Sequence, residues 1–222
     1  MHHDVQELTK QLLAGDQDAA WDIIDNQIEQ GQDSLQIYHS LITEAMRRIG
    51  ELWEKDEITV ADEHLATTTC DFILTRYHFV KKKEFKQTDY PRRKALFLCL
   101  EQEQHYIGLK MVALLFEEYG WETRLLGANL PLEYAEKIAE DWEPEVIGLS
   151  LTIVYHAERL EQYVKALESL KHQPTIMVGG RLTSAYDFSL YCSTETRILK
   201  CLEDIEAFLQ ETGYGVRENA RN

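Results

Sequence analysis

The stretch from Lys94 to Gly120 reads KALFLCLEQEQHYIGLKMVALLFEEYG. It begins with an apolar run, continues through a polar segment with one histidine, and ends in a helix-period apolar pattern that stops at a glycine. A short apolar run followed by an amphipathic helix is typical of the repeating unit of a parallel α/β sheet. The stretch therefore predicts the first strand and the first helix of such a domain.

The same alternation continues toward the C-terminus. Further strands are predicted at WETRLLG, EVIGLSLT and TIMVGG, with helices between them and one more helix in the tail. This order predicts a Rossmann-like (flavodoxin-like) parallel sheet domain over residues 93–222. Ligands of such sheets bind beyond the carboxyl ends of the strands, so the polar residues there are the candidate site.

The first part of the chain has a different rhythm. Apolar residues at helical spacing predict four amphipathic helices within residues 1–86, with caps expected at Asp16, Asp33 and Thr59. Four helices joined by short turns predict an all-α four-helix bundle. The polar segment at residues 87–92, which contains Pro91, is predicted to be the linker between the two domains.

The composition narrows the functional classes. The net charge of −16 repels a phosphate backbone, which argues against direct nucleic-acid binding. No apolar run reaches the roughly 20 residues that span a bilayer, and the N-terminus lacks a signal-peptide pattern, so we expect a cytoplasmic protein without membrane partners. The four cysteines form no CxxC pair and are expected to be buried thiols.

The first candidate group is Glu103, His105 and Gly108, just after the first predicted strand. A histidine at this edge can coordinate a metal, and a nearby carboxylate can fix the tautomer of its ring. The glycine allows a large ligand to approach the backbone. From these residues alone, an exposed loop histidine beside a chance acidic residue remains an equal alternative.

Two more groups end the third and fourth predicted strands. Ser150 and Thr152 follow one strand, and Gly179 and Gly180 follow the next. Each has a simpler explanation, since the hydroxyls could cap a helix and the glycines could form a tight turn. Because all three groups lie at one edge of the predicted sheet, we favour a shared ligand.

These residues resemble the motifs of cobalamin-binding Rossmann domains. EQHYIG is similar to the E/D-x-H-x-x-G motif, and GLS with Thr152 and VGG are similar to the two later signatures. The resemblance implies that His105 replaces the dimethylbenzimidazole base below cobalt, with Glu103 as its hydrogen-bonding support. It also implies a tunnel for the displaced nucleotide tail, lined by Gly108, Ser150, Thr152, Gly179 and Gly180.

The helical part carries a second resemblance. In WEKDEITVADEH, Trp53 lies ten residues before Glu63, and His64 follows. This spacing is similar to the cap of the adenosylcobalamin photoreceptors of the CarH type, which are light-responsive repressors. The resemblance implies that Trp53 shields the upper adenosyl group, that Glu63 accepts hydrogen bonds from its ribose, and that His64 also serves the cofactor. Alternatively, Trp53 is bundle core and the other two are a solvated helical turn.

The sequence departs from that family in two ways. The repressors begin with a winged-helix DNA-binding domain, and we expect none here because residues 1–86 are predicted to form the bundle. In the repressors, a histidine that can take the upper face of cobalt after illumination follows the cap tryptophan. Glu54 stands at that position here. A carboxylate is a poorer ligand for this role, so a bis-histidine photoproduct is not inferred.

Three functions remain open at this point. The first is a light-responsive sensor that binds adenosylcobalamin and signals through a regulatory protein or through self-association. The second is a corrinoid methyl carrier, which would bind methylcobalamin and serve a methyltransferase system. The third is an interaction protein that has lost its cofactor.

Overall fold

The computed structural model describes residues 2–84, 91–152 and 157–212. The chain divides into two compact units, Met1–Glu84 and Phe85–Asn222, and each is described by itself. Most of the predicted linker, at residues 87–92, lies outside the described residues.

The first unit is a helical bundle, as the sequence predicts. Its helices are α1 (His2–Ala14), α2 (Gln17–Glu29), α3 over residues 34–54, and α4 (Val60–Lys81), which a 3₁₀ turn at Lys82–Glu84 follows. The predicted caps are also confirmed. Asp16 accepts a hydrogen bond from the backbone of Ala19, Asp33 forms a capping box with Gln36, and Thr59 forms one with Asp62.

Helix α3 is not uniform along its length. It is α-helical at Ser34–Gln36, π-helical at Ile37–Thr43 and α-helical again at Glu44–Glu54. The wider π turn directs four side chains into the core of the bundle, namely Ile37, Tyr38, Leu41 and Ile42. Tyr38 meets the ring of Tyr77 edge-on at 5.5 Å between centroids, and the hydroxyl of Tyr77 lies 2.8 Å from the buried hydroxyl of Ser34. These contacts join α3 to α4.

The second unit is a five-stranded parallel sheet with helices, which confirms the predicted fold class. Its strands are β1 (Lys94–Cys99), β2 (Glu122–Leu125), β3 (Val146–Ser150), β4 (Thr175–Gly179) and β5 (Arg197–Ile198). Its helices are α5 (Ile107–Glu118), α6 (Leu132–Trp142), α7 (Ala157–Glu168) and α8 (Leu202–Glu211). The sequence did not predict β5, because two residues with one exposed arginine carry no strand pattern.

The strand order β2-β1-β3-β4-β5 determines where a ligand can bind. The chain leaves β1 toward β2 on one side and later returns to β3 on the other side, so the connections diverge between β1 and β3. Such a switch point opens a crevice at the carboxyl ends of the strands. Cys99, Ser150 and Gly179 are register partners at that edge of β1, β3 and β4.

The cysteines do not all match the expectation of buried thiols. None of the four, all within the described residues, forms a disulfide, but only Cys70 and Cys99 are buried, whereas Cys192 is partly buried and Cys201 is exposed. Cys201 is exposed because it occupies the N-cap position of α8, at the surface end of that helix. None of the helices in the described residues is long and apolar enough to cross a membrane.

Candidate functional site

His105 lies in the loop between β1 and α5, at the carboxyl edge of the sheet. Its side chain is 61% exposed, but its ring is held from one side. The ring nitrogen Nδ1 lies 2.5 Å from Oε1 of Glu103, and the backbone N–H of His105 donates to the same oxygen at 2.9 Å. The carboxylate thus fixes the position of the imidazole while most of the ring faces outward.

The side chain of Glu103 is fully buried, and both of its oxygens accept hydrogen bonds. Oε1 receives the two bonds from His105, and Oε2 receives two from Thr152, through its backbone N–H and its hydroxyl, each at 2.7 Å. Burial alone raises the pKa of a carboxyl group, but these hydrogen bonds outweigh that effect and lower the pKa of Glu103 from 4.5 to about 2. Glu103 is therefore a charged acceptor at neutral pH.

Thr152 connects β3 to the loop between β1 and α5, residues 100–106, which we call the histidine loop. Its hydroxyl donates to Glu103 and lies 2.8 Å from Nδ1 of His105. These contacts join residues that are 47 to 49 positions apart in sequence, across the switch point between β1 and β3. The hydroxyl of Thr152 therefore supports both the carboxylate and the imidazole.

The histidine loop is also held by Asn129, which the sequence did not predict as part of the site. The backbone N–H of Gln102 donates to the side chain of Asn129 at 2.7 Å, and the N–H of Asn129 donates to the carbonyl of Glu103 at 2.9 Å. Both Gln102 and Asn129 have positive φ angles, of 69° and 56°. Asparagine tolerates the left-handed region better than most residues. Asn129, two residues before Pro131, could therefore have indicated a turn at this position.

Helix α7 contacts the same loop from the other side. Arg159 donates to the carbonyl of Glu101 at 2.8 Å. The hydroxyl of Tyr163 accepts from the backbone N–H of Glu101 and donates to the carbonyl of Leu130. The backbone around the Glu103–His105 pair is thus held by side chains from two other segments, which makes the pair a rigid feature.

Cys99 lies next to the Glu103–His105 pair, with its thiol 3.8 Å from the carbonyl oxygen of His105. Burial raises the pKa of this thiol to about 12, the charge of Glu103 adds to the effect, and a hydrogen bond with Ser150 opposes it. The thiol stays protonated at neutral pH, so Cys99 is a packing residue and not a nucleophile.

Ser150, Gly179 and Gly180 lie together, as predicted for the ends of β3 and β4. Ser150 is buried and pairs in register with Gly179, whose carbonyl accepts a hydrogen bond from the N–H of Leu151 at 3.0 Å. Gly180 has a φ of 149°, and a Cβ placed there would lie 1.9 Å from the carbonyl oxygen of Leu151. Gly180 is therefore required by the close approach of these two strand ends.

Gly108 differs from Gly180, because nothing in its own chain requires a glycine there. It lies exposed in the first turn of α5, with no positive φ, and an added Cβ would meet no atom within 4 Å. The structure therefore leaves open space beside this turn, three residues after His105.

The three candidates in the helical unit are surface residues. Trp53, in the last turn of α3, is 47% exposed and so does not belong to the buried bundle core. Glu63 and His64 lie in the first turn of α4, with side chains 31% and 75% exposed. Thr67 donates to Glu63 at 2.9 Å, and a ring nitrogen of His64 lies 3.8 Å from its other oxygen.

Each of the two units matches a family of known proteins. Residues 93–194 match the family described as B12 binding domain, and residues 5–77 match a second family with the same description. The first match covers four of the five strands with the Glu103–His105–Thr152 cluster, and the second covers most of the helical bundle, including Trp53, Glu63 and His64.

The individual proteins that match this chain share less than 30% of its residues in the aligned regions. The chain is 27% identical over 168 residues to the HTH-type transcriptional repressor CarH of Myxococcus xanthus, an alignment that covers 75% of this chain. The chain spans about half the length of that relative, 54%. Among solved structures, the monomethylamine corrinoid protein of Methanosarcina barkeri has a TM-score of 0.70 at 16% identity, with 92% of this chain and 96% of that chain covered. A cobalamin-binding protein from Desulfitobacterium hafniense DCB-2 has a TM-score of 0.48 at 18% identity, covering 93% and 97%.

The burial of Glu103 predicts a specific loss of stability in acid. Because its folded pKa is depressed, its stabilising contribution is present above about pH 4.5 and is lost as the pH falls toward about 2. We expect Glu103→Gln to lower the free energy of unfolding by roughly 3 kcal/mol at neutral pH and by much less near pH 2, measured by urea denaturation across this range. Glu140→Gln, on the exposed face of α6, is the control. An equal difference at both ends of the range would contradict the prediction.

The glycine pair predicts a contrast between neighbours. Gly180→Ala forces a Cβ against the carbonyl of Leu151 and should lower the free energy of unfolding by about 2 kcal/mol or more. Gly179→Ala should change it by less than about 1 kcal/mol, because its nearest contact is the carbonyl oxygen of Leu199 at 4.0 Å. Thermal unfolding of the two variants compares them directly. Similar melting temperatures for both would show that the close approach of Leu151 does not make a side chain at position 180 destabilising.

Proposed function

We propose that the chain is a cobalamin-dependent sensor with His105 as the lower axial ligand of cobalt, and the matches of both units to families described as B12 binding domain support this proposal. The single observation that carries this proposal is the hydrogen-bond cluster of Glu103, His105 and Thr152 at the switch point of the sheet.

The donor set fits a metal held through one imidazole. When Nδ1 carries the proton and donates to Glu103, the lone pair that can bind a metal lies on Nε2, and the charged carboxylate increases its basicity. A corrinoid would bring the other ligands of its cobalt itself, so a single histidine from the chain is enough. The exposed ring of His105 and the open space at Gly108 suit a large planar ligand.

We assign the remaining edge residues to the nucleotide tail of the cofactor. Ser150, Gly179 and Gly180 form the adjoining part of the carboxyl edge, where the Cβ position of Gly179 has no atom nearer than 4.0 Å. Thr152 would act differently from these three, because its hydroxyl and its backbone N–H are both committed to Glu103. It would therefore orient the lower ligand instead of contacting the tail.

We assign the upper ligand to the helical unit. A tryptophan that is half exposed at a helix end costs solvation free energy, which binding of an apolar group would recover. Glu63 keeps acceptor capacity beside its bond from Thr67, so it can accept hydrogen bonds from ribose hydroxyls. The exposed imidazole of His64 is a second polar group for the same ligand.

Two observations support the sensor role, namely the cap sequence and the identity of the aligned relative. Trp53, Glu63 and His64 keep the spacing of the photoreceptor cap, and the aligned relative is a repressor. Adenosylcobalamin, when bound, supplies a cobalt–carbon bond that light can break. The residues of this chain would shield that bond in the dark and repack around the altered upper face, which would change binding of a regulatory protein or of a second copy.

A second candidate function is a corrinoid methyl carrier that binds methylcobalamin. The observation in its favour is the similarity in fold to the monomethylamine corrinoid protein over nearly the whole length of both chains. A carrier must expose the upper face of cobalt to a methyltransferase. The role proposed for Trp53, Glu63 and His64, an apolar ring and two polar side chains directed to the same ligand, is better suited to retaining a bulky upper group.

Substitution of the lower ligand tests cobalamin binding. His105→Ala should weaken adenosylcobalamin binding at least tenfold and shift the absorption spectrum from the histidine-ligated to the base-off form, because the imidazole is lost. Glu103→Gln should have a smaller effect in the same direction. Both are measured by titration followed by absorbance.

The control for this experiment is Gln104→Ala, which removes the exposed side chain next to His105 and should bind as the native protein does. If His105→Ala keeps the native affinity and spectrum, His105 is not the ligand. Absence of any binding by the native chain would instead favour an interaction protein that has lost its cofactor.

Illumination separates the sensor from the carrier. The protein loaded with adenosylcobalamin in the dark should change its absorption spectrum and its hydrodynamic radius after exposure to light, and the same protein loaded with hydroxocobalamin should not. Absorbance and analytical ultracentrifugation before and after illumination measure both. Identical dark and light radii would overturn the sensor proposal.

Affinity for the upper ligand gives an independent comparison. The sensor should bind adenosylcobalamin more tightly than methylcobalamin, and Trp53→Ala should reduce that preference without abolishing binding of methylcobalamin. A clear preference of the native protein for methylcobalamin would support the carrier instead.

A further inference from the structure

Helix α4 carries an uncharged stripe on its exposed side. Its members recur at alternating spacings of four and three residues, and all are exposed: Ala61, Leu65, Thr68, Phe72, Thr75 and Phe79. The three large ones are 44%, 40% and 66% exposed at Leu65, Phe72 and Phe79. This spacing is the a/d pattern by which one helix packs along another. The stripe extends about 27 Å along the helix axis.

Apart from Leu65, whose side chain also lies beside Gly15, the stripe is separate from the face that packs in the bundle. The buried residues of α4 are Ala66, Thr69, Cys70, Ile73, Leu74 and Tyr77. At 100° per residue, the centre of that set lies roughly 150° around the helix from the centre of the stripe. A helix with apolar residues on two opposite sides has one side more than the bundle needs.

The charges at the ends of α4 indicate how a second helix would be oriented. Its first turn is acidic, with Asp62 and Glu63, whereas its last turn carries Lys81 and the exposed Lys83 follows. A parallel copy would bring acidic turn to acidic turn. An antiparallel copy brings the acidic end of each helix to the basic end of the other, which is favourable.

The stripe is also nearly symmetric about Phe72. Leu65 and Phe79 lie seven residues before and after it, and Thr68 and Thr75 lie four before and three after. The hydroxyl of Thr75 donates to the carbonyl of Asp71, so its methyl group is available for apolar contact. A two-fold axis near Phe72 would therefore match each large side chain with another, as an isologous interface requires.

We propose that this stripe is a self-association surface, and that its occupant is the α4 stripe of a second copy in antiparallel orientation. The proposal does not depend on cobalamin binding. One helix pair makes a small interface, so the dimer is weak and its population rises with protein concentration. Phe72, at the centre, contributes most to the affinity, as central aromatic residues commonly do.

Sedimentation of the full chain without cobalamin, over a range of concentrations, tests the proposal. The native protein should show a monomer–dimer equilibrium, and Phe72→Glu should raise the dissociation constant on the order of tenfold or more, because it places two like charges at the two-fold axis. Tyr134→Glu, at a 60% exposed aromatic residue on α6, is the matched control and should leave the constant unchanged. A native chain that stays monomeric at every concentration overturns the proposal, as does an unchanged constant in Phe72→Glu.

Cysteine cross-linking tests the orientation without a charged substitution. All variants carry Cys201→Ser, because Cys201 is exposed. A mixture of Leu65→Cys and Phe79→Cys chains should form a mixed disulfide dimer on mild oxidation, whereas each variant alone should cross-link poorly. Cross-linking of each variant with itself but not with the other would indicate a parallel pair and overturn the antiparallel assignment. No cross-linking of the mixture would overturn it as well.

Discussion

The buried carboxylate of Glu103 is the interaction on which the candidate site depends. An ionised carboxylate without partners is too costly to bury, and four hydrogen bonds from His105 and Thr152 make its burial possible. Those bonds form only if the loop after β1 and the end of β3 meet, so the carboxylate couples the position of the imidazole to the register of the sheet. The same bonds that lower the pKa of Glu103 also restrict the orientation of His105.

The topology explains why this coupling lies at the ligand edge. In the order β2-β1-β3-β4-β5, β1 and β3 are neighbours whose connections leave in opposite directions, so their carboxyl ends are not covered by one crossing loop. Asn129, after β2, and Arg159, on α7, fasten the backbone of the histidine loop from either side. A ligand that approaches this edge therefore meets a preorganised imidazole, which lowers the entropic cost of binding.

The sequence predicted most of the fold because periodicity and caps are local signals. Apolar spacing and capping residues such as Asp33 and Thr59 located the helices, and continuous apolar runs located β1, β3 and β4. The contact between Thr152 and Glu103 was not predictable in this way, because it joins positions 49 apart whose proximity follows from strand order. The two-residue β5 and the exposed Cys201 lack a local pattern of their own. On α4, the residues of the core face and of the uncharged stripe alternate along the sequence, so the stripe does not form a separate apolar pattern.

Helix α4 brings together the two features that a sensor must couple. Glu63 and His64, assigned to the upper ligand, lie in its first turn, and the stripe begins in the same turn and runs to Phe79. A shift of this helix that accompanies a change of upper ligand would move the stripe with it, because a helix transmits displacement along its axis. Coupling then requires only that the two ligand states differ in their dimer affinity, and the same free energy would act in reverse, from dimerisation to ligand binding. This coupling gives no role to Glu54, which stands where the repressors have a histidine. The proposed response would therefore not need a histidine next to Trp53.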